Sequence, residues 1–150
     1  MRYCSYLILA AIAASNICAF GVAITTTTLT VTSGGASITS VPLGAAVTLT
    51  AAVASTGASI SSGTVNFCDA AISTSCSGLA VIGTAQLTSS GTASIIVRLG
   101  VGSHSLRAIF AGTSAYSGSS SSTSALAVTG KYASVTTISS SAGTPLAYMA

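Results

Sequence analysis

The sequence predicts an all-β protein, two antiparallel sheets stacked as a sandwich behind a short apolar leader helix. Three observations carry this. From Thr25 onward, short runs rich in Val, Ile, Thr and Leu alternate polar and apolar residues, which is the period-two pattern of half-buried strands. Gly and Ser clusters punctuate those runs, and none of them shows a helical spacing. Hydrophobic residues make up 50% of the chain and charged residues 3%. Disordered chains show the opposite balance, because low hydrophobicity with high charge leaves too little apolar surface to bury.

Met1 and Arg2 form a short positive start, and Tyr6 to Ala14 (YLILAAIAA) is an apolar run of about nine residues, as in the core of an export signal. Gly21-Val22-Ala23 places small residues before a cut after Ala23, with Ile17-Cys18-Ala19 the weaker alternative. An uncleaved anchor is the rival reading, since Tyr6 to Ile24 approaches the roughly 20 residues of a spanning helix. Ser15 and Asn16 interrupt that span, so residues 1–23 are assigned to a cleaved signal peptide. SNIC, ending at Cys18, lacks the leucine usual at a lipoprotein cut site.

In the first strand Leu29 and Val31 face inward, while Thr28, Thr30 and Thr32 face out, where β-branched side chains suit a pleated surface. A Pro42-Leu43-Gly44 turn precedes the second, which puts Val47, Leu49, Ala51 and Val53 on one face and Thr48 and Thr50 on the other. Inward pairs then recur at Val65 with Phe67, at Ala85 with Leu87, and along Ala93, Ile95, Val97 and Leu99. Leu106, Ala108 and Phe110 follow, then Leu126 and Val128, with turns at Gly83, Gly91, Gly100, Gly102 and Gly112. About seven strands in about 105 residues fit an immunoglobulin-like sandwich over residues 24–130.

The stretches TTTTLTVT, VPLGAAVTLTAAV, GTVNFCD, IGTAQLTSSGTASI and GVGSHSLRAIFAGTSAY, followed by SGSSSS, occur in the order and spacing of a known module. Together they resemble the group-3 bacterial Ig-like repeat domain of large exported proteins. That resemblance implies a non-catalytic unit. Relatives often carry an aspartate after the glycine of Phe110-Ala111-Gly112; here Thr113 stands there, a departure from the pattern that would give that loop a metal contact. The chain has no tryptophan, and Cys68 and Cys76 lack the long spacing of the antibody intersheet disulfide. Ala133 to Ser141 (ASVTTISSS) resembles residues 24–33, so 131–150 reads as the start of a truncated second repeat or a disordered tail.

Export would remove Cys4 and Cys18, and an oxidising compartment favours pairing the two cysteines that remain. Cys68 and Cys76 bracket seven residues, a loop that can fold back to disulfide distance. Free thiols and a metal site are the alternatives. A metal site needs about four ligands, and only His104 and Asp69 could join the cysteines, with nothing in the strand pattern forcing them together. Calcium needs several oxygen ligands with carboxylates among them, and Asp69 is the single acidic residue. No metal and no cofactor are expected.

Without glutamate, paired-carboxylate chemistry has no second partner. Serines, His104 and Asp69 could compose a triad, but no G-x-S-x-G elbow occurs, and His104 reads as a strand-end residue hydrogen-bonded to a turn. Gly100-Val101-Gly102 lacks the third glycine of a phosphate loop. The formal charge of +3 comes from scattered Arg2, Arg98, Arg107 and Lys131 against Asp69, and nucleic-acid binding needs such charges clustered. The sequence therefore predicts no enzyme and no nucleic-acid partner. It predicts a secreted or cell-surface structural or adhesive module that meets neighbouring Ig-like repeats or other extracellular proteins. Membrane contact would come only through an uncleaved leader. A carbohydrate-binding module is the alternative, with surface glycans as partners and Tyr116, Tyr132 and Tyr148 as rings for sugars to stack upon, Tyr116 being the principal candidate contact.

Overall fold

A computed structural model describes residues 21–56, 58–131 and 135–138. The leader's apolar run, Cys4, Cys18, Tyr132, Tyr148 and most of the tail lie outside these residues. The described chain is a two-sheet immunoglobulin-like sandwich. Its strands are β1 (Thr26–Ser33), β2 (Ala36–Ser37), β3 (Ser40–Pro42), β4 (Val47–Ser55), β5 (Ala58–Ser59), β6 (Thr64–Asp69), β7 (Val81–Gln86), β8 (Thr92–Val97), β9 (Gly102–Phe110), β10 (Ser119–Ser120) and β11 (Ser124–Thr129). Seven have six or more residues and correspond to the alternating runs; the other four are pieces of two or three residues at the margins. Helical structure among the described residues is one 3-10 turn, Gly78–Ala80.

In the first sheet, β4 lies between β1 and β8 in antiparallel register, from Thr26↔Ala54 to Thr32↔Thr48 on one side and from Val47↔Val97 to Ala52↔Thr92 on the other. The second sheet runs β3-β11-β9-β6-β7, with β10 also paired to β9. One pair departs from the antiparallel expectation. β3 joins β11 in parallel, Val41 opposite Val128, because the chain crosses from the first sheet to the second after β2.

Between the sheets sits one core. Val47, Leu49, Ala51 and Val53 of the central strand β4 are at most 2% exposed. Val65, Phe67, Leu106, Ala108, Phe110, Leu126 and Val128 meet them from the second sheet, and Leu29, Ala85, Ile95, Val97 and Leu99 pack half-buried at the margins. The alternation closes because each inward set removes apolar surface from water while the intervening Thr and Ser stay wet. Outside the first sheet, Thr28, Thr30, Thr50, Thr92 and Ser94 form cross-strand rows, and the Thr50 and Ser94 hydroxyls bond at 2.9 Å.

Gly83 is not a turn. It lies within β7 opposite Phe67, beside a register shift at Phe67/Cys68. A Cβ there would come within 3.1 Å of Ile95 Cδ1 in the facing sheet, so its missing side chain lets the two layers approach. Gly102 is likewise the first residue of β9 rather than part of the preceding turn. Gly112, in the loop after β9, has φ +83, and a Cβ would meet Gly118 N at 2.8 Å and Tyr116 O at 2.9 Å. Both backbone conformation and space require glycine at that position.

Two polar residues face inward at the start of β1. Thr25 and Thr27 are buried, and their hydroxyls bond Ser119 Oγ at 2.7 Å each; the Thr25 hydroxyl also reaches the Ser117 carbonyl at 2.7 Å. Just before them, Ala23 bridges Tyr116 in parallel, so residues 23–33 and 116–129 run in the same direction. From Ser119, opposite Phe110, to Val128, opposite Gly102, the register covers eight steps of β9, about 26 Å at about 3.3 Å per residue. The chain thus reaches one pole of the sandwich at Ala23 and leaves the other at Thr129.

Candidate functional site

At the second pole, β6 ends and β9 begins. The inward parity of Val65 and Phe67 continues to Asp69, and the inward parity of Leu106, Ala108 and Phe110 runs back to His104. Asp69 pairs with Leu106 across the sheet, which makes His104 its diagonal neighbour on the same face. The two side chains meet, Asp69 Oδ2 to His104 Nδ1, at 2.7 Å. Nothing in the strand pattern alone requires this contact. Cross-strand register creates it between residues 35 positions apart.

Each polar atom of the pair has a partner. Asp69 Oδ1 accepts the N–H groups of Ser105 at 2.9 Å and Ala71 at 3.0 Å. His104 Nε2 lies 2.9 Å from the Gly100 carbonyl oxygen, the strand-end contact to a turn that its position suggested. Both ring nitrogens face acceptors, a pair of contacts that only the doubly protonated ring can fill at once. Burial opposes its charge, but the Gly100 and Asp69 hydrogen bonds and the Asp69 charge outweigh that and raise its pKa above 6.5. Burial likewise opposes the Asp69 charge, yet the Ser105 N–H, His104 and the Ala71 N–H hold its pKa below 3.8.

Linkage fixes the sign of the pH dependence. A raised histidine stabilises fully below its unfolded value and loses that contribution as pH rises through its folded value; a lowered carboxylate stabilises above its unfolded value and loses it as pH falls through its folded one. Stability is therefore expected to plateau between about pH 4 and 6.5 and to fall on both sides. Urea midpoints across pH 3 to 9 check this, and His104→Gln should remove the alkaline fall; a flat wild-type profile contradicts it.

The loop after Asp69 is fastened beside this pair. Ala70 N–H donates to Ser105 O at 2.7 Å and Ile72 N–H to Asp69 O at 3.1 Å, while Arg107 donates to the Thr74 carbonyl. Cys68, buried and opposite Arg107, is joined to Cys76 in a disulfide with Cα atoms 5.4 Å apart. Cys76 has φ 52, a left-handed conformation that costs a non-glycine residue about 1 kcal/mol. Closing this loop stabilises by about 2.5 kcal/mol on the chain-entropy account, more than that cost. The cluster is a clamp. His104 Nε2 is committed to a backbone carbonyl, so a serine hydroxyl finds no ring nitrogen to take its proton. Among the described residues, no three of His, Cys, Asp and Glu come together as a metal site.

The profile of the bacterial Ig-like domain (group 3) family matches residues 35–129. The chain belongs to that family. No curated protein and no solved structure matches it. The match to the bacterial Ig-like domain begins after β1, although β1 lies between β2 and β4 in the first sheet and Val31 belongs to the core. In this domain Thr113 does for its loop what a short acidic side chain could do, since its hydroxyl accepts the N–H groups of Tyr116 at 3.1 Å and Ala115 at 3.2 Å. Tyr116, taken from sequence as an exposed ring, is half-buried and packs against the core. Its backbone joins the bridge to Ala23, which draws the ring inward. Lying at the opposite pole, it is not brought together with the Cys68–Cys76 clamp.

Proposed function

We propose that this bacterial Ig-like domain is a non-catalytic structural and adhesive module of an exported protein, one that holds its neighbours apart and presents them. The observation that carries the reading is that the sandwich is entered at Ala23 and left at Thr129 at opposite poles, with about 26 Å of paired strand between Ser119 and Val128. A unit so threaded passes tension through its sheets rather than peeling from one edge. The disulfide fits an oxidising compartment outside the cytoplasm, and the partners in this reading are neighbouring Ig-like repeats or other extracellular proteins.

Single-molecule extension of the full chain tests it. The expected record is one cooperative rupture, followed by a contour-length gain that omits the loop locked by the disulfide. Reduction should release the eight residue steps between Cys68 and Cys76, about 28 Å of extended chain less the 5.4 Å that the disulfide already spans. Smooth extension with no rupture would remove the load-bearing role.

A further inference from the structure

Leaving aside the two-residue pieces, four strands border the two sheets: β1, β3, β7 and β8. Three of them are guarded. β1 is covered by β2 at one end and tied through the Thr25 and Thr27 hydroxyls to Ser117 and Ser119 at the other. β3 has three residues and includes Pro42, which has no N–H to offer a further strand. β7 carries a bulge: Phe67 pairs with Gly83 and Cys68 with Val81, so Ile82 is the extra residue, and such a residue twists an edge away from further pairing. β8 has none of these devices. Its six residues, TASIIV, contain no proline, glycine or charge; they bond β4 on one side, and no strand lies beyond them among the described residues.

The ladder to β4 fixes which backbone groups of β8 are free. Val53 N–H donates to Gly91 O at 2.9 Å. With Ala51 opposite Ala93 and Leu49 opposite Ile95, the alternation of an antiparallel ladder gives the odd-numbered residues of β8 to β4. The even-numbered residues turn their N–H and C=O groups outward. Thr92 is already used, its carbonyl accepting Thr88 N–H at 2.8 Å and its N–H donating to the Thr88 hydroxyl at 3.3 Å. Ser94 and Ile96 remain. Ile96 is also 72% exposed, on the outer face beside Thr48.

We propose that β8 pairs antiparallel with β8 of a second copy of this chain, joining the two first sheets across a two-fold axis. The edge is self-complementary, as an interface of that symmetry must be. With Ser94 of one copy opposite Ile96 of the other, each free N–H meets a free C=O and none is left over. Ile95 then faces its own counterpart on the inner side, while on the outer side each Ile96 lies beside the other copy's serine and diagonal to its isoleucine. Arg98, the charged residue nearest the strand, bonds the Gly44 carbonyl at 3.0 Å. The two arginines fall beyond opposite ends of the pairing, so no like charges meet. This association goes beyond the spacing role above and does not depend on export.

Sedimentation equilibrium of the full chain over a range of concentrations, together with amide hydrogen exchange, tests it. The wild-type mass should rise toward twice that of the monomer as concentration increases, with the Ser94 and Ile96 N–H groups exchanging more slowly in step. Ile96→Lys places a charge on the edge, the means by which natural sheets keep strands apart. It should weaken association about tenfold or more and leave the unfolding midpoint unchanged, because the Ile96 side chain is exposed in the single copy. Ile72→Lys, at a residue 61% exposed in the disulfide loop, should leave association intact. A wild-type chain that stays monomeric overturns the proposal, as does association that Ile96→Lys leaves unchanged or that proceeds without slowing of those two N–H groups.

Discussion

Asp69→Ala is expected to lower the unfolding free energy by about 3–5 kcal/mol, the scale of breaking one side of a buried ion pair. The carboxylate is 3% exposed and holds three donors, His104 Nδ1 and the N–H groups of Ser105 and Ala71. Its removal leaves an imidazolium facing no counter-charge and two N–H groups facing no acceptor. Since domains of this size are stable by about 5–15 kcal/mol, the variant should unfold at a markedly lower urea concentration. The loss should be full near pH 5.5 and fade as pH falls through the lowered Asp69 pKa, because the wild-type carboxylate is then protonated as well. A penalty below about 1 kcal/mol in the plateau, within the range of an exposed pair, would show that the clamp contributes little.

Phe110→Ala carries a comparable penalty for a different reason. The ring is 1% exposed in the centre of the core, and Phe→Ala changes in such settings cost about 3–5 kcal/mol as lost transfer energy plus the cavity left behind. The melting temperature should fall by about 20 °C. The cavity should be mirrored by a clash from the other side. Gly63 has φ +123, and a Cβ built there would run into the Phe110 ring. Gly63→Ala is therefore destabilising alone, and part of its cost should disappear when Phe110→Leu makes room, a coupling that a double-mutant cycle measures. Strict additivity of the two changes would mean that glycine and ring do not share one space.

The long strands were legible because burial of one face imposes period two, and where a strand is central every second residue obeys it, as Val47, Leu49, Ala51 and Val53 do. Gly83 misled because glycine marks turns and close layer contacts alike, and only the facing Ile95 distinguishes them. The two-residue strands carry no pattern of their own; β5 and β10 exist because β4 and β9 offer them free backbone. Thr25 and Thr27 share the inward parity of Leu29 and Val31, and their hydroxyls are satisfied by Ser117 and Ser119, more than 90 positions away, which no local pattern shows.

At the clamp, the cysteine spacing pointed to the loop, but the ion pair beside it stayed hidden. The signal was present: the alternation of VNFCD ends on Asp69 and that of HSLRAIF begins on His104, each at an inward position. Register between β6 and β9 was the missing quantity, because a slip of one residue would have turned one of the two partners outward.

The rows of threonine and serine on the outer sheet have an environmental consequence. Screening lengths in salt water shrink from roughly 30 Å to 3 Å between 0.01 and 1 M, and a coat of methyl and hydroxyl groups gives those ions almost nothing to act upon. Adhesion made through such a coat would hold with the same strength in fresh water and in brine.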